Sequence, residues 1–296
     1  MNDSKLIEIF CQVDDFCKNL DGYLSGQLIS MNEEFKPFDS AMSLSEIMSI
    51  CIYYHLSGYK TFKDYYTRGG VKKEDFPTMV SYSRFVQLKQ YAIMPLYVFL
   101  HHCRLGNCTG LSFCDSSKLA VCHNRRIEQH KTFAGLAERG KTSVDWFFGF
   151  KLHLAISHQG ELLGVSLSKG NVDDRDQMVI KHLVHQIKGI LVADRGYLSQ
   201  KLAQDLKEKG IRLITSIKRN MKQKLVTLKD TMLLKKRALI ESVLDWLKEH
   251  CDMEHTRHRK PLNFIENVFA ALTAYSFVDD KPKVYFTKRQ IELLQD

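Results

Sequence analysis

From Leu111 to Ser168 the chain is written largely with a period of two, and from Asn171 to His250 it switches to helical segments separated by short apolar runs. That switch restricts the fold more than any other feature, because a meander of strands followed by crossover helices closes into a mixed sheet covered by helices. Leu111–Cys122, LSFCDSSKLAVC, sets Phe113, Asp115, Ser117, Leu119 and Val121 on one strand face, so a carboxylate stands in a largely apolar row. Trp146–Ser157 reads as a second strand, turned by His158-Gln159-Gly160 into a third, Glu161–Ser168. A helix capped by Asn171 or Asp173 then turns Met178, Ile180, Leu183, Val184 and Ile187 inward and closes at Gly189. Ile190–Asp194, ILVAD, is a run of the kind buried on both faces of a sheet, and it ends in a carboxylate. A helix over Ser199–Lys209, a strand over Ile211–Lys218 and a helix over Leu233–His250 complete the order β-β-β-α-β-α-β-α.

That is the element order of an RNase H-like mixed α/β sheet. It predicts the first strand at the centre, the fourth beside it and the last helix across both, so that Asp115, Asp194 and Glu241 meet at one edge, where open α/β sheets gather functional groups. On the last helix Arg237, Glu241 and Lys248 share one stripe, opposite the apolar Ile240, Val243, Leu244 and Leu247. Crowded carboxylates repel and take up protons unless a cation stands among them. Oxygen-only ligands suit Mg²⁺ or Mn²⁺, and two such ions, roughly 3.5–4 Å apart, activate the attacking oxygen and stabilise the leaving one in phosphodiester displacement. Arg237 and Lys248 then stand where they can hold neighbouring phosphates. Taken singly, each residue has a plainer reading: a solvated helix face for the stripe, a turn or edge residue for Asp115, a helix cap for Asp194. The shared element order is what favours a metal site.

Residues 1–105 read as helical. Ser43–Glu46 has capping-box spacing, Thr61–Tyr66 is a short aromatic segment, and Pro95 interrupts Ser81–Leu100. This region suits a DNA-binding or dimerising module, or equally a plain helical cap, and it shows no helix-turn-helix spacing. Gly106–Gly110 reads as a linker and His123–Val144 as a basic loop. Trp146 is able to stack on an unpaired base, but its place at the start of a strand favours the core. A formal net charge of +9 and a pI near 9.0 are compatible with a polyanionic partner.

The N-terminus lacks an export pattern, and the apolar run Tyr91–Leu100 is too short to span a bilayer, so the expectation is a cytoplasmic protein without membrane association. The 8 cysteines read as buried thiols of a reducing compartment. HHCRLGNC at 101–108, with Cys114, Cys122 and His123, has zinc-ligand residue types, but its first cysteine pair is spaced more widely than usual.

The motifs together resemble those of bacterial insertion-sequence transposases of the DDE class. FCDSS around Asp115 matches the family's first acid, DRGY at 194–197 its second, and Arg237-x3-Glu241-x6-Lys248 its third. TRHRKPLNFIENVFAALTAYSF, at 256–277, is similar to the family's terminal basic segment plus helix. Where the family carries a tyrosine three positions before the arginine, this chain has Leu234. The resemblance implies a helical DNA-binding or dimerisation domain over 1–105, an RNase H-like catalytic domain over 106–280 and a tail over 281–296. It implies catalytic, metal-holding Asp115, Asp194 and Glu241 with two Mg²⁺ ions, Mn²⁺ being a substitute, and DNA contacts from Arg237, Lys248, Arg257 and Arg259. The implied partners are double-stranded terminal inverted repeats and target DNA, engaged by a homodimer in a nucleoid-associated bacterial setting. The implied reaction is cleavage of the element's ends and joining of the freed 3′-OH to target DNA. A nuclease of the same fold without strand transfer, and a catalytically inactive DNA-binding repressor, are the competing readings.

Overall fold

The computed structural model describes residues 3–30, 40–142, 145–216, 227–253, 258–288 and 290. The chain divides into two compact units: residues 1–104, 249–253 and 257–278 form one, and residues 105–248, 254–256 and 279–296 the other. The sequence reading places everything from 106 to 280 in one domain, whereas the helix near the C-terminus packs in the helical unit.

In the helical unit, α1 (Asp3–Ser30), α2 (Leu44–Tyr54), α3 (Phe62–Thr67), α4 (Tyr82–Leu88) and α5 (Ile93–Phe99) are joined by the late helix α10 (Pro261–Ser276). Ser43 and Glu46 form the expected capping box on α2, an arrangement worth about 1 kcal/mol. Between α4 and α5 the break falls at a 3₁₀ turn, Lys89–Ala92, and Pro95 sits inside the first turn of α5, where its missing N–H costs no hydrogen bond. One apolar cluster unites these helices, with Ile9, Ile50, Phe85 and Phe99 from the N-terminal region against Ala270, Ala274 and Phe277. Inside the unit lies an ion pair: Lys89 Nζ and Glu266 Oε2 are 2.5 Å apart, with side chains 4% and 1% exposed.

The second unit is built on β1 (Leu111–Cys122), β2 (Glu138–Lys141), β3 (Trp146–Ser157), β4 (Leu162–Lys169), β5 (Gly189–Ala193) and β6 (Ile211–Thr215), with α6 (Gln177–Val184), α7 (Gln200–Glu208), α8 (Leu228–Lys236) and α9 (Ala238–Cys251) up to Lys248. The strands form one mixed sheet in the order β2-β3-β1-β5-β6. β1 runs antiparallel to β3 and parallel to β5, and β5 runs parallel to β6. β4 pairs with Phe150–Ile156 of β3, while β2 pairs with Trp146–Gly149 of the same strand. With β1 central, an antiparallel meander on one side and parallel crossover strands on the other, this is the RNase H-like topology. β2 is the addition to the expected order: residues 138–141 lie in the stretch read as loop, since ERGK carries no apolar alternation and is a strand only through its pairing with β3.

One sheet face is covered by α6 and α7, whose Val179, Leu183, Leu202 and Leu206 pack with Cys114, Ala155, Leu163 and Ala193. Asp176, rather than Asn171 or Asp173, caps α6, accepting from the backbone N–H groups of Met178 and Val179. That later start turns Met178 outward, where it is exposed. Gly164 allows α6 to approach β4 closely: a Cβ there would lie 2.3 Å from the Leu183 carbonyl oxygen. Gly164→Val should therefore destabilise this unit by about 1–3 kcal/mol, read as a lower urea midpoint with an unchanged slope.

Of the cysteines, Cys17, Cys51, Cys114 and Cys251 are buried as expected, whereas Cys11 and Cys103 are exposed. Among the described residues no helix is long and apolar enough to cross a membrane.

Candidate active site

Strand register places the first two acids. Cys114 and Ala193 are the last paired residues of parallel β1 and β5, so Asp115 and Asp194 are the next residue on each strand, at neighbouring positions roughly 5 Å apart by the ordinary strand spacing. Alternation along β1 turns Asp115 away from Cys114, to the face opposite α6 and α7. Asp194 Oδ1 accepts from the Gly196 backbone N–H and caps the 3₁₀ turn Arg195–Tyr197. The cap reading of Asp194 thus holds, and the same carboxylate stands beside Asp115. Tyr197 is buried and anchors the turn.

Glu241 enters from α9. The expected single helix over Leu233–His250 is divided at Arg237 into α8 and α9, with i→i+3 backbone bonds from Arg237 N–H to the Leu234 carbonyl and from Ile240 N–H to the Arg237 carbonyl. The apolar stripe is buried as the sequence predicts, with Ile240 and Val243 fully enclosed and Leu244 and Leu247 nearly so. Arg237 joins two of the acids: Nη1 donates to Asp115 Oδ2 at 2.7 Å and Nη2 to Glu241 Oε1. In this arrangement the guanidinium serves the carboxylates.

Burial pushes the Asp115 carboxyl up to about 6. The Ser116 backbone N–H and the Arg237 guanidinium oppose that rise, while the negative charges of Asp194 and Glu241 add to it. The three acids are therefore close enough to feel one another, with Arg237 supplying the compensating charge.

A fourth acid, Asp174, stands beside the site. A Cβ on Gly196 would lie 3.1 Å from Asp194 Oδ1 and 3.3 Å from Asp174 Oδ2, so both carboxylates approach the glycine of DRGY closely. Asp174 Oδ1 is 3.1 Å from Lys151 Nζ and 3.7 Å from Nδ1 of His153. His153 is fully buried, its Nε2 pairs with Ser168 Oγ at 2.8 Å, and burial pulls its pKa down to about 4. Sequence reading missed this group, although Lys151 and His153 are a visible signal: polar side chains spaced by two within the apolar strand WFFGFKLHLAIS.

The remaining expected DNA contacts are dispersed. Lys248 is half-buried on α9, and Arg259 is exposed ahead of α10 in the helical unit. Arg257 lies outside the described residues.

With this geometry in place, comparison with known proteins becomes informative. The family model described as a transposase DDE domain matches residues 105–261, more than half of the chain. The chain belongs to the DDE transposase family. This DNA transposase is similar to the piggyBac transposase in a synaptic complex with hairpin DNA, at 10% identity over 97% of this chain and 76% of that chain, with a TM-score of 0.42. It is also similar to the Mos1 strand transfer complex, at 11% identity over 86% of this chain and 82% of that one, with a TM-score of 0.24. No curated protein matches it. DDE transposase domains use divalent metal ions, and the donor set here, all carboxylate oxygen with a raised Asp115, has the chemistry to take a hard cation. Among the described residues no three His, Cys, Asp or Glu side chains are gathered closely enough to hold one ion. Arg237 bridges Asp115 and Glu241 instead.

Proposed function

We propose that Asp115, Asp194 and Glu241 are the catalytic carboxylates of a transposase that cleaves the ends of its element and joins them to target DNA. The observation that carries this reading is the placement of Asp115 and Asp194 side by side, each directly after the last paired residue of the parallel β1/β5 ladder, with Glu241 tied to Asp115 through Arg237. The three carboxylates would hold Mg²⁺, two ions per site with Mn²⁺ as a substitute, and bound metal supplies activation of the attacking oxygen and charge stabilisation on the leaving one. Arg237 neutralises Asp115 and Glu241, and it would be free to hold a DNA phosphate where a cation held by the acids supplied that compensating charge. Lys248, Arg257 and Arg259 hold backbone phosphates of the terminal inverted repeats and target, and the helical unit contributes DNA binding and dimerisation, which brings two ends together.

The test is incubation of purified protein with Mg²⁺ and DNA carrying the element's ends. Cleavage followed by joining to a second duplex supports the proposal. Cleavage without joining supports the nuclease reading, and binding without cleavage the repressor reading.

The raised Asp115 pKa gives a signed pH dependence. In the folded, metal-free protein Asp115 holds its proton more tightly than in the unfolded chain, so its contribution to stability is present at low pH and disappears as pH rises through about 6. Between pH 4 and 7 in chelator, wild type should lose up to about 3 kcal/mol relative to Asp115→Asn. Thermal melts of both proteins across that range check it. Divalent cation should reverse the trend, because the metal needs the ionised carboxylate.

A further inference from the structure

A second candidate contact for DNA lies at the far end of β3, away from the acids. Residues 146, 148 and 150 share a face of β3, and Leu154, on that same alternation, pairs with Asp115. Phe148 and Phe150 are each 8% exposed, and the loop ring Phe133, stacked on His130, packs against Phe150 while His130 meets Phe148. Among the described residues nothing comparable covers Trp146, which is 57% exposed, contrary to the core position expected from its place in the strand. The loop's apolar cover stops one residue pair short.

The rim of this open indole is basic. Lys141 is the β2 partner of Trp146, with Nζ 5.5 Å from the ring centroid, and Arg139 lies two residues back on the same face. Asn124 Nδ2 donates to the Trp146 carbonyl at 2.6 Å, which holds the turn bearing Arg125 and Arg126 beside the tryptophan. All four cations are exposed, and among the described residues none of them forms an ion pair. Of the acids near them, Asp145 is already engaged by Lys118 and Glu138 by Lys169. An exposed flat ring surrounded by uncompensated cations complements a nucleic-acid strand: phosphates to the cations and a base to the ring. From Leu154 back to Trp146 is about 27 Å of strand at roughly 3.4 Å per residue, so the contact is separate from the acids.

We propose that Trp146, rimmed by Arg125, Arg126, Arg139 and Lys141, is a stacking platform for an unpaired base of the DNA on which this transposase acts. The proposal rests on the transposase reading but requires no catalysis. The protein has 2 tryptophans, so Trp246→Phe leaves Trp146 as the sole indole reporter. In chelator, this variant is titrated with a blunt duplex, the same duplex carrying an unpaired overhang, and the overhang strand alone. Trp146 fluorescence should be quenched by the two DNAs with unpaired bases and much less by the blunt duplex. Trp146→Ala should weaken overhang binding by about tenfold or more, with blunt-duplex binding little changed and Trp146→Phe retaining most of the affinity. Arg125→Gln with Arg126→Gln should lower the salt slope of binding by about two. Overhang binding unchanged in Trp146→Ala, or an equal loss on both duplexes, would overturn the platform. Normal DNA binding without Trp146 quenching would overturn it while sparing the transposase reading, and failure of the wild type to bind any of these DNAs would overturn both.

Discussion

Asp115→Asn is expected to reduce joining of DNA ends by about a thousandfold or more while leaving end binding in place. The size follows from the role proposed for the carboxylate: a cation held at the reacting phosphate would supply several kcal/mol of transition-state stabilisation, and each 1.4 kcal/mol is about a factor of ten. Asn keeps the shape of Asp115 but removes the charge that balances Arg237 and that, in the proposed site, would bind metal. Asp194→Asn and Glu241→Gln should act similarly, because on the proposed assignment the three groups would work as a unit and their losses would not add. Asp173→Asn is the control. Its carboxylate lies near the site in sequence, but it is paired with Arg175 at 2.7 Å and largely exposed, so joining should continue at close to the wild-type rate. A gel assay for strand transfer, run beside a binding titration, separates loss of chemistry from loss of DNA.

The second large effect is on stability and arises in the helical unit. Burial pulls the Lys89 ammonium down, and the adjacent Glu266 carboxylate more than offsets it, so its pKa is raised. Removing either partner leaves the other charge enclosed without compensation. Lys89→Met and Glu266→Leu should each cost about 3–5 kcal/mol. The double replacement Lys89→Met with Glu266→Leu should recover much of that loss, because paired apolar groups of similar size avoid the desolvation of both ions. Denaturation of the four proteins, followed by near-ultraviolet dichroism of the aromatic cluster, measures the effect. Additive losses in the double variant would show that the two charges do not act as a pair.

The sheet was legible because its strands are long and strongly patterned. Leu111–Cys122 and Trp146–Ser157 have the predicted bounds, and ILVAD lies where a buried parallel strand belongs. The neighbouring positions of Asp115 and Asp194 were legible from element order, since strand register sets them. What the sequence concealed depends on contacts distant in the chain. ERGK at 138–141 has no alternation of its own and becomes a strand only against Trp146–Gly149. The helix pattern from Leu233 to His250 is continuous in sequence, yet the chain changes hydrogen bonding at Arg237, where the side chain reaches Asp115, 122 residues away. Lys89 and Glu266 are far apart along the chain, and neither carries a local sign of burial. Trp146 was read as core because strand ends and exposed platforms share the same aromatic preference; only the extent of the Phe133 loop distinguishes them.

The central claim, that these carboxylates hold the metal of a transposase, is tested most directly by changing the ligand rather than deleting it. Asp115→Cys replaces a hard oxygen with a thiolate, a poor ligand for Mg²⁺ and a better one for the softer Mn²⁺. Strand transfer should be lost in Mg²⁺ and partly restored in Mn²⁺, with Asp115→Ala inactive in both. Full activity of Asp115→Cys in Mg²⁺, or equal inactivity of the Cys and Ala variants in Mn²⁺ when both still bind the ends, would contradict the assignment.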